Sequence, residues 1–286
     1  MKKIKYFFEF LIISLLFLIY KILGLKISSY ISGKLFEFFG PIFRSKKIIE
    51  SNIQRAIPEI NSQKINDIKK NMWNNYGRTL SEYMFLKYFR NDKLASNIHL
   101  EGMEILEQIK NEKKPVIFIS GHFSNFELMA MQIEKSGIKL AAVYRPLNNI
   151  FLNVLMERIR KKYICLNQIK KGTSGVRQLL KLYKKGYSIA LMIDQRVSEG
   201  IKSKFFNEDA FTTTIPAQFI KKFNCKVVPI YIERHNGINF NIKIEKPMEF
   251  SKDVSTEIIT RKLNIWLEKK ILANPREWIW SHNRWK

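Results

Sequence analysis

The run KPVIFIS, residues 114–120, leads into Gly121-His122-Phe123-Ser124-Asn125-Phe126-Glu127 and then into an apolar helical pattern. An imidazole and a carboxylate are the groups of a general base and its orienting partner: the carboxylate fixes the tautomer and supports the imidazolium that forms. Five residues apart on one continuous helix, the two side chains would point about 140° apart. They can meet only with His122 in the strand-to-helix turn and Glu127 in the first helical turn. Gly121 suits a tight exit from the strand, and Ser124 or Asn125 an N-cap. The pair then stands at the carboxyl end of a strand, where sites form in open α/β sheets. Such a pair would activate a hydroxyl nucleophile.

The elements that must position this pair alternate in type. Strand patterns run over residues 98–100, 116–120, 140–144, 188–193, 226–232 and 240–244. Helical patterns over 103–110, 125–135, 149–161, 174–185 and 216–223 lie between them. Strands separated by helices predict an α/β fold: a mainly parallel sheet flanked by helices. Upstream, residues 62–88 predict one long amphipathic helix, with Ile65, Ile68, Met72, Tyr76, Leu80 and Met84 at three- and four-residue steps. A closing helix carries Ile259, Leu263, Trp266 and Leu267, and an aromatic tail, NPREWIWSHNRWK, follows it.

The amino-terminal run FLIISLLFLIY, residues 10–20, is uncharged and preceded by Lys2, Lys3 and Lys5. Extended from Tyr6 to Leu25 it reaches the length of a membrane helix, provided Lys21 snorkels to an interface. No small-x-small cleavage pattern follows, so a retained anchor is expected rather than a cleaved signal. Positive charge flanks both ends, so its composition is compatible with spanning and with lying flat. Residues 27–43 read as a second interfacial helix or as a cap on the core. The expected organisation is an anchor over 1–25, a helical segment over 26–95 and an α/β core over 96–286.

Composition narrows the partners. Fifty Lys and Arg stand against 25 Asp and Glu, a net charge of +25, so the surface favours anionic lipid, phosphorylated substrates or an acidic protein. Nucleic acid is the other polyanion, but no helix-turn-helix, zinc finger or aromatic–basic sheet motif is present, and the apolar amino-terminus would go unexplained. Two cysteines without CxxC spacing and four scattered histidines exclude a disulfide framework and a His-rich metal site.

The HxxxxE pattern after a strand, in a basic and anchored α/β chain, resembles the lipid A biosynthesis (late, secondary) acyltransferases, of the wider lysophospholipid and glycerol-phosphate acyltransferase group. Further segments resemble that family in order: 52–59 (NIQRAIPE), Arg78 with Glu82, Tyr144-Arg145-Pro146, Asp194-Gln195, Phe205-Phe206, Thr214-Ile215-Pro216-Ala217, Val228-Pro229 and the tail from Pro275 to Trp285. Two positions depart: Asn207 stands where the family often has Gly after the Phe pair, and Phe126 where it often has Trp.

The resemblance implies transfer of a fatty acyl group from acyl carrier protein, or coenzyme A, to a hydroxyl of an anionic, phosphorylated glycolipid, at the cytoplasmic face of a bacterial inner membrane. It implies no metal or redox cofactor. His122 then acts as base, oriented by Glu127. Arg145 is the candidate oxyanion donor, a role typically worth about 3–4 kcal/mol, with a phosphate clamp as its alternative. Arg196, Lys202 and Lys204 are candidates for the lipid's phosphates. Asn125 joins the substrate-binding set, Phe205, Phe206 and Phe126 are expected around the acyl chain, and Asp194 is expected to orient Arg145 or Arg196. His282 reads as a packing residue. A lysophospholipid or other glycolipid acyltransferase is the alternative within enzymes, and a basic membrane-associated binding protein without catalysis is the alternative outside them.

Overall fold

The computed structural model describes residues 2–286. Helices α1 (Lys2–Leu23), α2 (Leu25–Phe43), α3 (Lys46–Ala56) and α4 (Ser62–Glu82) come first. The predicted long helix ends early: a 3₁₀ turn, Tyr83–Phe85, follows Glu82, and a short α5 (Leu86–Arg90) completes the segment. The α/β part runs β1 (Ile98–Glu101), α6 (Met103–Glu112), β2 (Ile117–Ser120), α7 (Glu127–Lys135), β3 (Leu140–Tyr144) and α8 (Ile150–Tyr163). It continues with β4 (Asn167–Lys170), α9 (Thr173–Lys184), β5 (Ser188–Met192), the pair β6 (Ile201–Phe205) and β7 (Glu208–Thr212), α10 (Ile215–Phe223), β8 (Val227–His235), β9 (Asn239–Ile244) and α11 (Thr256–Ala273).

The seven-stranded sheet has the order β1-β9-β8-β2-β5-β3-β4, parallel except where β8 meets β9. The all-buried sequence IFIS of β2 is that of a strand covered on both faces. On α11, Ile259, Leu263, Leu267 and Ile271 recur every four residues and are all buried. Each such side chain contributes about 1.5–3 kcal/mol of burial. Trp278, Trp280 and Arg284 are among the largest fully buried side chains, so the tail is core and not fringe.

Two pieces escaped the sequence reading. The edge strand β4 is NQIK, four residues with one buried, too short and polar for alternation to register. The antiparallel hairpin β6–β7 turns at Phe206 (φ 50°) and Asn207 (φ 61°). Both are left-handed, as a two-residue hairpin turn of this hand requires. Asn tolerates that conformation through its short polar side chain, which accounts for Asn207 where a glycine would be freer.

Helix α2 docks on α4 through small residues: Ser28, Ser29, Ser32, Gly33 and Gly40 are buried. Phe38, Phe39, Ile42 and Phe43 face outward while Phe36 packs against the core, so most of the aromatic side of α2 does not cap it. At the crossing a Cβ on Gly77 would lie 2.1 Å from the Ser32 carbonyl oxygen. Ser32 Oγ donates to the Gly77 carbonyl at 2.6 Å. Gly77→Ala is therefore expected to lower stability by about 1–3 kcal/mol by prising the two helices apart; chemical unfolding in detergent measures it, and an unchanged midpoint would show the crossing to be soft.

Candidate functional site

Parallel register builds the site. Ser120 on β2 lies opposite Met192 on β5, so two residues past each strand His122 arrives beside Asp194. Ala142 on β3 lies opposite Ala190, which brings Arg145 to the same edge of the sheet. Tyr144 lies opposite Lys170 on β4, and Lys171 thereby neighbours Arg145. One edge therefore carries an imidazole, a carboxylate and a row of cations.

Asp194 is 2% exposed and grips His122 twice: Nδ1 lies 2.8 Å from Oδ1, and the His122 backbone N–H donates to Oδ2 at 2.7 Å. The Trp278 indole N–H adds a third bond, to Oδ2, at 2.9 Å. Burial works to raise the Asp194 carboxyl, but the imidazole and these donors outweigh it and pull its pKa down to about 2. An ionised carboxylate at Nδ1 fixes the proton there and leaves Nε2 free to accept one. Phe126 packs edge-on to the ring at 4.8 Å.

The expected His122–Glu127 contact is not made. Glu127 does open α7, as the spacing required, yet its Oε1 accepts from Arg160 Nε and Nη2 at 2.8 and 2.6 Å and from the Tyr83 hydroxyl. The Arg160 guanidinium also lies over the Tyr83 and Tyr144 rings. Burial opposes the Arg160 charge, but Glu127 and Tyr83 raise its pKa above the ordinary value. Glu127 is thus the anchor of a buried ion pair between α7, α8 and the 3₁₀ turn.

Asn125 is also corrected. It is fully buried, and its amide donates to Glu82 at 2.9 Å instead of facing a substrate. Neither it nor Ser124 caps α7; Ser124 sits in the left-handed region at φ 43°. Glu82, itself fully buried, accepts from Arg234 at 2.5 and 3.1 Å and from Ser29 at 3.0 Å. Thr79 donates to the Ser124 carbonyl, and the Ser124 N–H donates to the Glu277 carbonyl, so α4 and the tail clamp the loop from two sides. Gly121 has no left-handed φ; its role is space, since a Cβ there would lie 2.8 Å from the Phe123 ring and 2.9 Å from Leu267.

The other expected residues divide. Arg145 is exposed at the edge of the site. Arg196 and Lys202 converge on the Phe211 ring, at 5.4 and 5.9 Å, from different elements. Arg196 also donates to the Lys286 carbonyl and to Ser198, and the Asp194 oxygens bond His122 and Trp278, so Asp194 orients neither Arg196 nor Arg145. Lys204 pairs with Asp209 across the hairpin at 2.9 Å. Phe205 is fully buried against Phe206, Trp278 and Trp285, a core residue and not a wall for an acyl chain.

Residues the sequence reading missed are Trp278, Arg160, Tyr83 and Arg234. Trp278 was visible only as one aromatic among several in the tail. His282 lies nearer the dyad than its packing role implied: Asp194 and His122 both act on it electrostatically, and its Nδ1 is buried without a partner. Burial lowers its pKa from 6.5 to about 4, with Asp194 pulling the other way. A depressed histidine favours the fold fully above its unfolded pKa and ceases to as pH falls towards the folded value. Thermal stability should therefore drop between about pH 6.5 and 4, and His282→Gln should flatten that drop; an identical acid profile would show that His282 does not titrate across it.

The match to a known family runs the full length. The family model described as bacterial lipid A biosynthesis acyltransferase matches residues 1–286. The chain is 26% identical over 254 residues to the lipid A biosynthesis lauroyltransferase of Escherichia coli strain K12, covering 85% of this chain and 79% of that one. Against the lipid A biosynthesis acyltransferase of Haemophilus influenzae the identity is 23% over 261 residues, 89% and 81% of the two chains. Against lipid A biosynthesis acyltransferase 2 of Shigella flexneri it is 21% over 193 residues, 66% of this chain and 61% of the relative's length. With a family match across every residue, and the histidine-bearing turn at the centre of a mainly parallel sheet, the chain belongs to the bacterial lipid A biosynthesis acyltransferases.

Proposed function

We propose that the chain transfers a fatty acyl group from acyl carrier protein to a hydroxyl of a lipid A precursor, at the cytoplasmic face of the bacterial inner membrane. The observation that carries the reading is the His122–Asp194 pair, 2.8 Å apart at the end of the central strand. His122 Nε2 takes the proton of the acceptor hydroxyl as its oxygen attacks the thioester carbonyl. The carbonyl oxygen becomes an oxyanion, which the Arg145 guanidinium stabilises. Collapse of the tetrahedral intermediate breaks the carbon–sulfur bond, and the departing thiolate takes the proton from the imidazolium. Asp194 remains ionised throughout and keeps the ring in register. Arg196 and Lys202, drawn together over Phe211, hold a phosphate of the acceptor. Glu127 serves the site by fixing Arg160 and the start of α7.

The test is the mass of the product. Purified chain, acyl carrier protein loaded with a fatty acid, and a lipid A precursor should yield the precursor plus one acyl unit. Replacing the donor by acyl-coenzyme A, or the acceptor by a lysophospholipid, separates the enzyme alternatives. Binding of the precursor with no mass gain under any pairing would return the chain to a noncatalytic membrane protein.

A further inference from the structure

By length and composition α1 is able to cross a membrane. Its contacts are those of a different arrangement. Asn149, at the N-cap of α8, donates to the Tyr6 carbonyl at 2.8 Å and to Glu9 at 3.0 Å. Phe151 packs on Phe7 at 5.6 Å and on Phe10 at 6.0 Å. Further along, Ile13 and Leu16 lean on the core, and Phe17 and Tyr20 are buried in it. The helix is therefore held to the body from Tyr6 to Tyr20, about 21 Å of its length.

A helix bound along its length to a globule can cross a bilayer only by taking that bound surface with it. Were α1 to cross, Asn149 and Glu9, together with the loop that carries Arg145, would be carried to hydrocarbon depth beside it. Unpaired polar and charged groups are costly there. Laid flat, α1 avoids that cost and presents its free side to lipid. Ile12 and Ile22 are 66% and 76% exposed. Helix α1 contacts both α2 and α8, and each continues the apolar face. On α2, Phe38 and Ile42 are 75% and 74% exposed. Leu147 in the loop before α8, and Ile150 and Val154 in its first turns, are 42–50% exposed, with Ile150 and Val154 one turn apart. The next outward residues on α8 are Arg158 and Lys161, so its apolar end gives way to a basic one. Lys2, Lys3, Lys5, Lys21, Lys26 and Lys34 stand against Glu9 alone in the first 34 residues. These lysines flank the apolar face along α1 and α2, where they can reach anionic headgroups.

We propose that α1 lies in the plane of the membrane and that the lipid-facing surface is composite: α1, the outer side of α2, and Leu147, Ile150 and Val154 in and just before the first turns of α8. The last three immediately follow Arg145, so this orientation sets the His122 edge at the bilayer surface, where a lipid can reach it from the side. The inference stands on contacts, exposure and charge and does not depend on acyl transfer.

Two measurements decide it, neither of them an activity. In the first, the full chain with Leu147→Asn, Ile150→Asn and Val154→Asn together is floated with phosphatidylethanolamine–phosphatidylglycerol vesicles. Affinity should fall at least about thirtyfold, the lower end of what withdrawing three half-exposed apolar side chains from hydrocarbon costs, with the unfolding temperature unchanged. Undiminished affinity would remove α8 from the lipid face. In the second, Lys2→Cys and Lys269→Cys are labelled separately in membrane vesicles of known sidedness with an impermeant maleimide; Cys165 and Cys225 are buried and stay silent. Labelling of both positions from the same side supports the in-plane helix even if the triple variant fails to fold. Labelling from opposite sides means that α1 crosses, and overturns the proposal.

Discussion

His122→Ala should lower kcat by about 10²–10⁴, the usual worth of a positioned proton transfer. Asp194→Asn should cost nearly as much, because Nδ1 then loses the charge that fixes its tautomer and supports the imidazolium. The double variant should be hardly worse than His122→Ala alone, since the two groups act as one unit. Single-turnover rates of acyl transfer, with circular dichroism as a check on folding, read all three. Multiplicative losses would separate Asp194 from the base. Full activity of His122→Ala would remove the histidine from the chemistry altogether. One further consequence concerns acid. Asp194 has its pKa lowered from 3.8 to about 2. Its ionised form therefore favours the fold above about pH 4, by about 2 kcal/mol, and that contribution is lost as pH falls towards 2.

Glu127→Ala should act chiefly through stability. It leaves the Arg160 guanidinium and the Tyr83 hydroxyl without their acceptor in a buried setting, where Glu127 and Arg160 side chains are 8% and 14% exposed. Breaking a buried pair from one side costs about 3–5 kcal/mol. Glu127→Gln, which keeps an acceptor oxygen, should lose less. In both variants the pH profile of kcat/KM should hold its shape, because Asp194 still orients the base. Chemical unfolding and pH–rate measurements on the same preparations decide between the two carboxylates. A normally folded Glu127→Gln that loses activity as fully as His122→Ala, and non-additively with it, would return the orienting role to Glu127.

The difference between those carboxylates marks how far the chain could be read from its residues. Local patterning determined the order of strands and helices apart from β4 and the β6–β7 hairpin, since alternation and three-to-four spacing are properties of a single segment. It also placed His122 in a turn at a strand end and Glu127 at the start of a helix. Arg145 and Asp194 were visible in the same way, as charged residues just past apolar strands. The lysine-flanked apolar helix at the amino-terminus was legible from composition.

Tertiary structure decided which of these groups meet. Asp194 is 72 residues from His122, and only the β2–β5 register, with Ser120 opposite Met192, brings it to the imidazole. Glu127 is five residues away, yet the helix it opens turns it towards Arg160, 33 residues on. Spacing along a chain measures how closely two side chains can approach; it does not measure the competing partners that the fold delivers. The same reason governs Asn125, which Glu82 draws into the interior, and Trp278, which acquires its role only when the tail pairs with Phe123. It governs α1 as well: its composition allows it to cross a membrane, and its contacts from Tyr6 to Tyr20 bind it along the body of the protein.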